Sequence, residues 1–429
     1  MDKHRLRKYS FTAPPKRQEG VIVVIVALGA VALLGAAGLA FDVGHIILSK
    51  TRLQNSVDAA ALSGAKEIIV SSGDITLATA AARNTFFRNA EASGNHDMLE
   101  YYNGGGAVDV EFSATLYPFA PGTTPPEFVR VRVATMPLDT WIVSAIGITE
   151  KSVAATAVAG PSPPLGPESD ACNLAPMMVC GDPASPEGTH FGYALHDVQV
   201  LKTSSTHGNF EVGPGNFQLI RLDDGQGGAD VRDAMAGTYG GCLSASEDIE
   251  TEPGNTIGPV AQGFNTRFGQ YSGAMNSLPD PEGLYPPDVI TTENTVDIQF
   301  DAEGHVTTQV GELDFNHTMY TAASAGGPYD YAPAPAGLGH FERRVLAVPV
   351  GDCTETTSGH GFVPLLGYAC FFMLQKVSQQ GNDAHIYGQF IENCRAYGTP
   401  GPQPGGGGGA TGVGPIVIQL YEDPDSTDS

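Results

Sequence analysis

The densest group of ligand-type side chains is Asp223-Asp224-Gly225-Gln226-Gly227-Gly228-Ala229-Asp230, with Asp233 close behind. Carboxylates on a glycine-rich turn offer hard oxygens, the chemistry that Ca²⁺ takes. An EF-hand loop requires acids at alternating positions and a terminal Glu, and this spacing does not match it. Asp223, Asp224 and Asp230 are therefore a weak calcium candidate, and a solvated acidic loop is the better reading. The 11 His are scattered, with no two at ligand spacing. His196 and Asp197 are adjacent, but neighbours on a strand point to opposite faces. His190, His207, His340, His360 and His385 read as surface or ordinary hydrogen-bonding groups. No GxxxxGKS/T, HExxH or GxSxG occurs, so the phosphate-cradling, zinc-protease and nucleophile-elbow motifs are missing. The sequence thus assigns no catalytic residue, no cofactor and no firm metal site, and the reading is non-enzymatic.

Six cysteines remain: Cys172, Cys180, Cys242, Cys353, Cys370 and Cys394. None forms C-x-x-C, which removes support for a zinc ribbon or a thioredoxin-type site. An even number in an exported segment points to disulfides. Chain proximity favours Cys172–Cys180, leaving Cys242 for one of the last three.

The elements that must carry these residues begin with an uneven charge. The 429 residues hold 22 Lys/Arg and 47 Asp/Glu, a net of −25. A chain this acidic lacks the basic face that nucleic-acid binding requires. Six of its cations, Lys3, Arg5, Arg7, Lys8, Lys16 and Arg17, precede a run without charge from Gly20 to Phe41. As a helix that run spans roughly 33 Å, enough for a hydrocarbon core of about 30 Å. The cations keep the N-terminus cytoplasmic under the positive-inside rule. From Asp42 onward, 16 Lys/Arg face 45 acids, a net of −29 on the exported side. The apolar run is longer than the usual h-region of a cleaved signal peptide, which favours an uncleaved signal anchor. Ala32, Ala36, Ala40 and Gly44 recur every fourth residue, a spacing at which two membrane helices can approach closely and form a homo-oligomer. A span that is simply rich in Ala and Gly explains the same pattern.

Three spaced motifs surround this span: QEG at Gln18–Gly20, DVG at Asp42–Gly44 and LQNSVDAAALSGA at Leu53–Ala65. With the basic start and the membrane helix they resemble the TadG-like N-terminal domain of Flp/tight-adherence (Tad) pilus-assembly proteins, over about residues 17–66. The resemblance implies a bacterial envelope protein that works with other pilus-assembly or envelope proteins. Longer members carry a von Willebrand A-type domain with a D-x-S-x-S metal site. That motif is absent here, so metal-dependent adhesion does not transfer. A processed pilin carries a Glu where Ile25 stands, which favours an assembly or accessory component over a pilin subunit.

The fold class expected is α+β. Residues 1–19 form a cytoplasmic basic segment, 20–41 a transmembrane helix and 42–70 a stalk helix with one packing face. A small α+β unit over 71–160 follows. Its helix starts at an Asp74 N-cap, ends near Gly94 and packs through Leu77, Ala81, Ala82, Phe86 and Phe87. Its strands lie near Val108–Leu116, Val129–Val133 and Ser152–Ala159, with a short helix at Trp141–Ile148. Arg130 and Arg132 alternate with valines and read as the solvent face of a strand. Residues 161–170 are a Pro-rich linker, and 171–400 a larger, turn-rich, disulfide-bonded α+β domain in which Val363–Val377 reads as helical. Residues 401–429 hold a Gly-rich tether, a short strand and an acidic frayed tail. The expected location is the inner membrane, single-pass, with the C-terminal domain periplasmic or extracellular. A membrane-anchored hydrolase or a surface adhesin with its site in 171–400 is the alternative.

Overall fold

A computed structural model describes residues 21–71, 73–142, 144, 150–185, 189–202, 216–221, 227–237, 241–296, 298–300, 306–309, 313–324, 331–335, 337–355, 359–379, 384–400 and 412–426. One helix among them, α1 (Val21–Val70), is long and apolar enough to cross a membrane, with a mean hydropathy of 2.7 in its most apolar window. No proline interrupts the chain between Pro15 and Pro118, so nothing breaks its hydrogen-bond ladder. At 50 residues α1 is about 75 Å long. Through Phe41 its described side chains are exposed on every face except at Gly38.

Beyond the apolar run, α1 is the central helix of a folded unit. Leu53, Val57, Ala60, Ala61, Ala65 and Ile68 are buried. They pack with Ala78, Ala82, Phe86 and Ala90 of α2 (Ile75–Ala90). The Asp74 N-cap is present: its carboxylate accepts from Thr76 N at 2.8 Å and Leu77 N at 3.1 Å. The packing face of α2 is turned from the expected one, because Leu77 is exposed and Ala78 and Ala90 are inside. The helix stops at Ala90, and a short α3 (His96–Asn103) follows.

Both long helices lie on one face of an antiparallel sheet. Its order is β1 (Asp109–Ser113), β2 (Phe128–Asp139), β3 (Glu150–Pro161) and the C-terminal strand Ile418–Tyr421. Val129, Val131 and Val133 point at the helices, alternating with Arg130 and Arg132. Residues 162–417 therefore lie between two neighbouring strands of one sheet. The two chain connections run side by side. Ser162 N donates to Val417 O at 2.7 Å, Val417 N to Ser162 Oγ at 3.0 Å, and Leu165 N to Pro415 O at 2.7 Å. The short helix expected at Trp141–Ile148 falls largely outside the described residues, as do the basic N-terminus and 401–411.

The inserted region is built on a five-stranded sheet. Its order is Val179–Gly181, Val345–Asp352, Leu365–Met373, Ile386–Ile391 and Val198–Lys202. The apolar run at Val363–Val377 is thus a central strand and not a helix. Ala369, Phe371 and Met373 enter one core, while Tyr368, Cys370 and Phe372 enter the other. A strand covered on both faces is apolar at every position, which removes the alternation that marks a half-buried strand. The disulfides join Cys172 to Cys242, Cys180 to Cys353 and Cys370 to Cys394. The proximity pairing Cys172–Cys180 does not form. Strand pairing decides instead: Cys172 faces Cys242 across one ladder, and Cys180 lies on the edge strand beside the strand that leads to Cys353.

Candidate functional site

Asp223 and Asp224 lie outside the described residues. Asp230 is exposed in the first turn of the helix Gly228–Ala236, where a carboxylate suits the helix dipole. No group of three His, Cys, Asp or Glu among the described residues could hold a metal ion. Ala32, Ala36, Ala40 and Gly44 are exposed, on the face of α1 roughly opposite Gly38 and Asp42.

The residues that tie the apolar run to the folded unit sit where α1 leaves that run. Gly38, Asp42, His45 and Ser49 share one face of the helix, at intervals of three or four. Asp42, the acid of the DVG motif, is 2% exposed. Its carboxylate accepts from Trp141 N at 3.0 Å and Ile142 N at 3.1 Å, holding the chain just past the end of β2. His45 stacks on the Trp141 ring, centroids 4.5 Å apart, and its Nε2 lies 2.9 Å from Asp97 Oδ2. Ser49 Oγ donates to the same Asp97 oxygen at 3.2 Å. The second motif lies further along α1, inside the folded unit. Gln54 Nε2 donates to Thr156 O of β3 at 2.8 Å. A Cβ on Gly64 would sit 3.0 Å from Val129 Cγ1 and 3.3 Å from Ala82 Cβ, so a small residue there lets α1, α2 and β2 meet closely. A legible signal was present: the first charged residue after a long apolar run, within a spaced motif, is seldom left idle.

On the sheet face away from the helices, Arg130 gathers three acids. Its guanidinium lies 2.7 Å from Glu111, 3.3 Å from Asp423 and 2.8 Å from Asp425. Desolvation pulls Arg130 down, but its bonds to Asp425 and Glu111 outweigh this and leave it raised. Asp423 is buried and also accepts from Thr156 Oγ1 at 2.8 Å. This part of the acidic tail is pinned and not frayed. Arg130 is half-buried by its acids, while Arg132 is exposed as expected.

A cavity of about 480 Å³ lies between the end of α1, at Lys66 and Glu67, and the inserted region, at Arg267, Arg343 and Arg395. Its three arginines are already engaged. Arg267 Nε donates to Met235 O at 3.0 Å, and Arg343 Nη2 to Ala236 O at 2.6 Å. Both acceptors end the helix Gly228–Ala236, where cations suit the dipole. Arg395 pairs with Glu342. Burial, then Arg343, depresses Arg267 well below its ordinary value. Nothing in this lining pairs a nucleophile with a base.

Deeper still, Arg344 is fully buried between the rings of Phe268 and Phe372, 4.5 and 4.6 Å away. It donates to the carbonyls of Met373, Ile290 and Thr292. Asp288, also fully buried, accepts from Arg344 N, Ile290 N and Tyr320 Oη. Burial raises Asp288 to about 6 and lowers Arg344 to about 10. These partners tie four chain segments together, so the network orders the region.

No curated protein and no solved structure matches the chain. Residues 20–67 match the family described as "Putative Flp pilus-assembly TadE/G-like". That range begins in the apolar run, crosses the Asp42 junction and ends on the core face of α1, which supports a TadG-like N-terminal domain; its DVG and LQNSVDAAALSGA motifs lie on one continuous helix.

Proposed function

We propose that the protein is a single-pass component of Flp/Tad-type pilus assembly in the bacterial envelope, acting by anchoring and protein–protein contact. The observation that carries this reading is the double use of the TadE/G-like segment. Residues 20–67 supply both the candidate span and the central helix of the α+β unit. A rigid helix of this kind transmits position from the bilayer to the exported domain without a flexible joint. The six cations before the span support a cytoplasmic N-terminus in the inner membrane. Three disulfides support an oxidising compartment for the inserted region. The acidic exported part keeps the domain soluble and discourages unspecific association.

The test is cross-linking in intact cells, followed by purification from solubilised membranes. Other pilus-assembly components should be recovered in stoichiometric amounts. Recovery of the chain alone, with turnover on a hydrolase substrate panel, would replace this reading with the enzymatic one. A reporter active only outside the cytoplasm, fused after Ser429, should be active.

A further inference from the structure

We propose that Trp141 and Ile142 form a second membrane contact, seated in the headgroup region of the leaflet from which α1 emerges. The proposal rests on the reading that α1 spans the membrane. Its geometry starts at Asp42, the first charge after the apolar run. The Asp42 carboxylate is spent on the N–H groups of Trp141 and Ile142, which fixes this turn at the level where the run ends. Ile142 reaches further. A Cβ placed on Gly38 would lie 2.2 Å from Ile142 Cγ2, so the side chain rests directly on Gly38. Gly38 is four residues inside the uncharged run, about 6 Å deeper than Asp42. An apolar side chain is thus held at a depth that the span itself assigns to lipid.

The exposed surface has matching chemistry. Trp141 is 61% and Ile142 44% exposed, although both sit at the foot of a folded unit. His45 stacks on one face of the indole. In sequence, residues 140–149 carry no charge, and the acids that flank them, Asp139 and Glu150, face each other in the β2–β3 register. Trp concentrates at membrane–water interfaces because its ring is apolar and its N–H is wet. A single helix leaves a domain free to rotate about the helix axis. A lateral contact beside it fixes which side of the exported unit faces the bilayer.

Trp141 is the only Trp in the 429 residues, which makes the test direct. The full chain is reconstituted in phosphatidylethanolamine–phosphatidylglycerol vesicles. The vesicles contain lipids brominated either just below the headgroup or near the chain end. The expected result is a roughly twofold loss of emission with the shallow quencher and a smaller loss with the deep one, matching ~5–10 Å of interfacial insertion. Ile142→Asp should weaken the shallow quenching, with flotation and helical circular dichroism unchanged. Protein that floats with the vesicles but is quenched by neither lipid would overturn this contact and leave the anchor standing. Undiminished quenching in Ile142→Asp would overturn it too. Protein that does not float would overturn the anchor and the contact together.

Discussion

Around α1 the core is rich in small side chains. Ala60, Ala61 and Ala65 of α1 meet Ala78 and Ala82 of α2 and Ala155, Ala157 and Ala159 of β3. In the inserted region the filling is aromatic: Tyr320, Tyr368, Phe371, Phe372 and Phe390 are buried there. All three disulfides, and the buried Arg344–Asp288 network, belong to that second region. The difference follows from how each region is assembled. A 50-residue helix gives the first unit a preformed wall, and small residues let two helices and a sheet close on it. The second has short helices and strands separated by long turns, so cross-links and buried hydrogen bonds offset the entropy of ordering them.

The sharpest way to break this contrast is reduction. With all three bridges open, the inserted region should unfold while the helical signal of α1 and α2 persists. Loss of about 2–5 kcal/mol per bridge is expected, most for Cys180–Cys353, which closes the longest loop at a sequence separation of 173. Far-ultraviolet dichroism and limited proteolysis with and without reductant would show it. Simultaneous melting of both regions would mean that the paired connections at Ser162 and Val417 couple them into one cooperative unit.

Arg344→Met should cost about 3–5 kcal/mol, because the carbonyls of Met373, Ile290 and Thr292 and the Asp288 carboxylate lose a buried donor or cation nearby. Its chemical-denaturation midpoint should fall in the inserted region alone. Gly64→Val probes the other side of the comparison. Its side chain must displace Val129 or Ala82, at an expected cost of about 1–3 kcal/mol in the membrane-facing unit. An unchanged midpoint would show that the α1–α2–β2 contact is looser than the small residues imply.

The finest distinction is in pH. Burial, with His196 nearby, holds His317 down at about 4. Its stabilising effect is complete above its ordinary value of 6.5 and is lost as pH falls toward 4. Asp288 has the opposite sign. Burial raises it from 3.8 to about 6, so folding loses stability as pH rises through that window. The two partly cancel between pH 4 and 6. His317→Gln should unmask the Asp288 trend, making the variant relatively more stable than the wild type by about 1–3 kcal/mol at pH 4.5 compared with pH 7. Equal pH profiles for variant and wild type would show that His317 titrates freely.

Legibility differed between the regions for the same reason. Helical periodicity and the Asp74 cap announced α1 and α2 because local geometry decides them. The alternating valines of β2 announced a half-buried strand. The run Val363–Val377 reads as helical in sequence, although Leu365–Met373 within it is a strand, because burial on both faces erases alternation. Arg344 gave no sign of burial beside Arg343, since an Arg–Arg pair ordinarily marks surface. The fourth strand of the membrane-facing sheet comes from Ile418–Tyr421, more than 250 residues from its partner β3. Local pattern contains nothing about such a pairing.

By itself, then, the sequence determined the features governed by neighbours along the chain. These are the apolar span with its basic flank, the motifs on the helix that follows it, and six cysteines beyond the span. Tertiary structure decided what is set by neighbours in space: which cysteines meet, that Asp423 and Asp425 close on Arg130, and that Trp141 and Ile142 are tied to Asp42. Helix periodicity and hydropathy are short-range properties of the backbone and solvent. Pairings across a hundred residues or more depend on the sheet that brings their ends together.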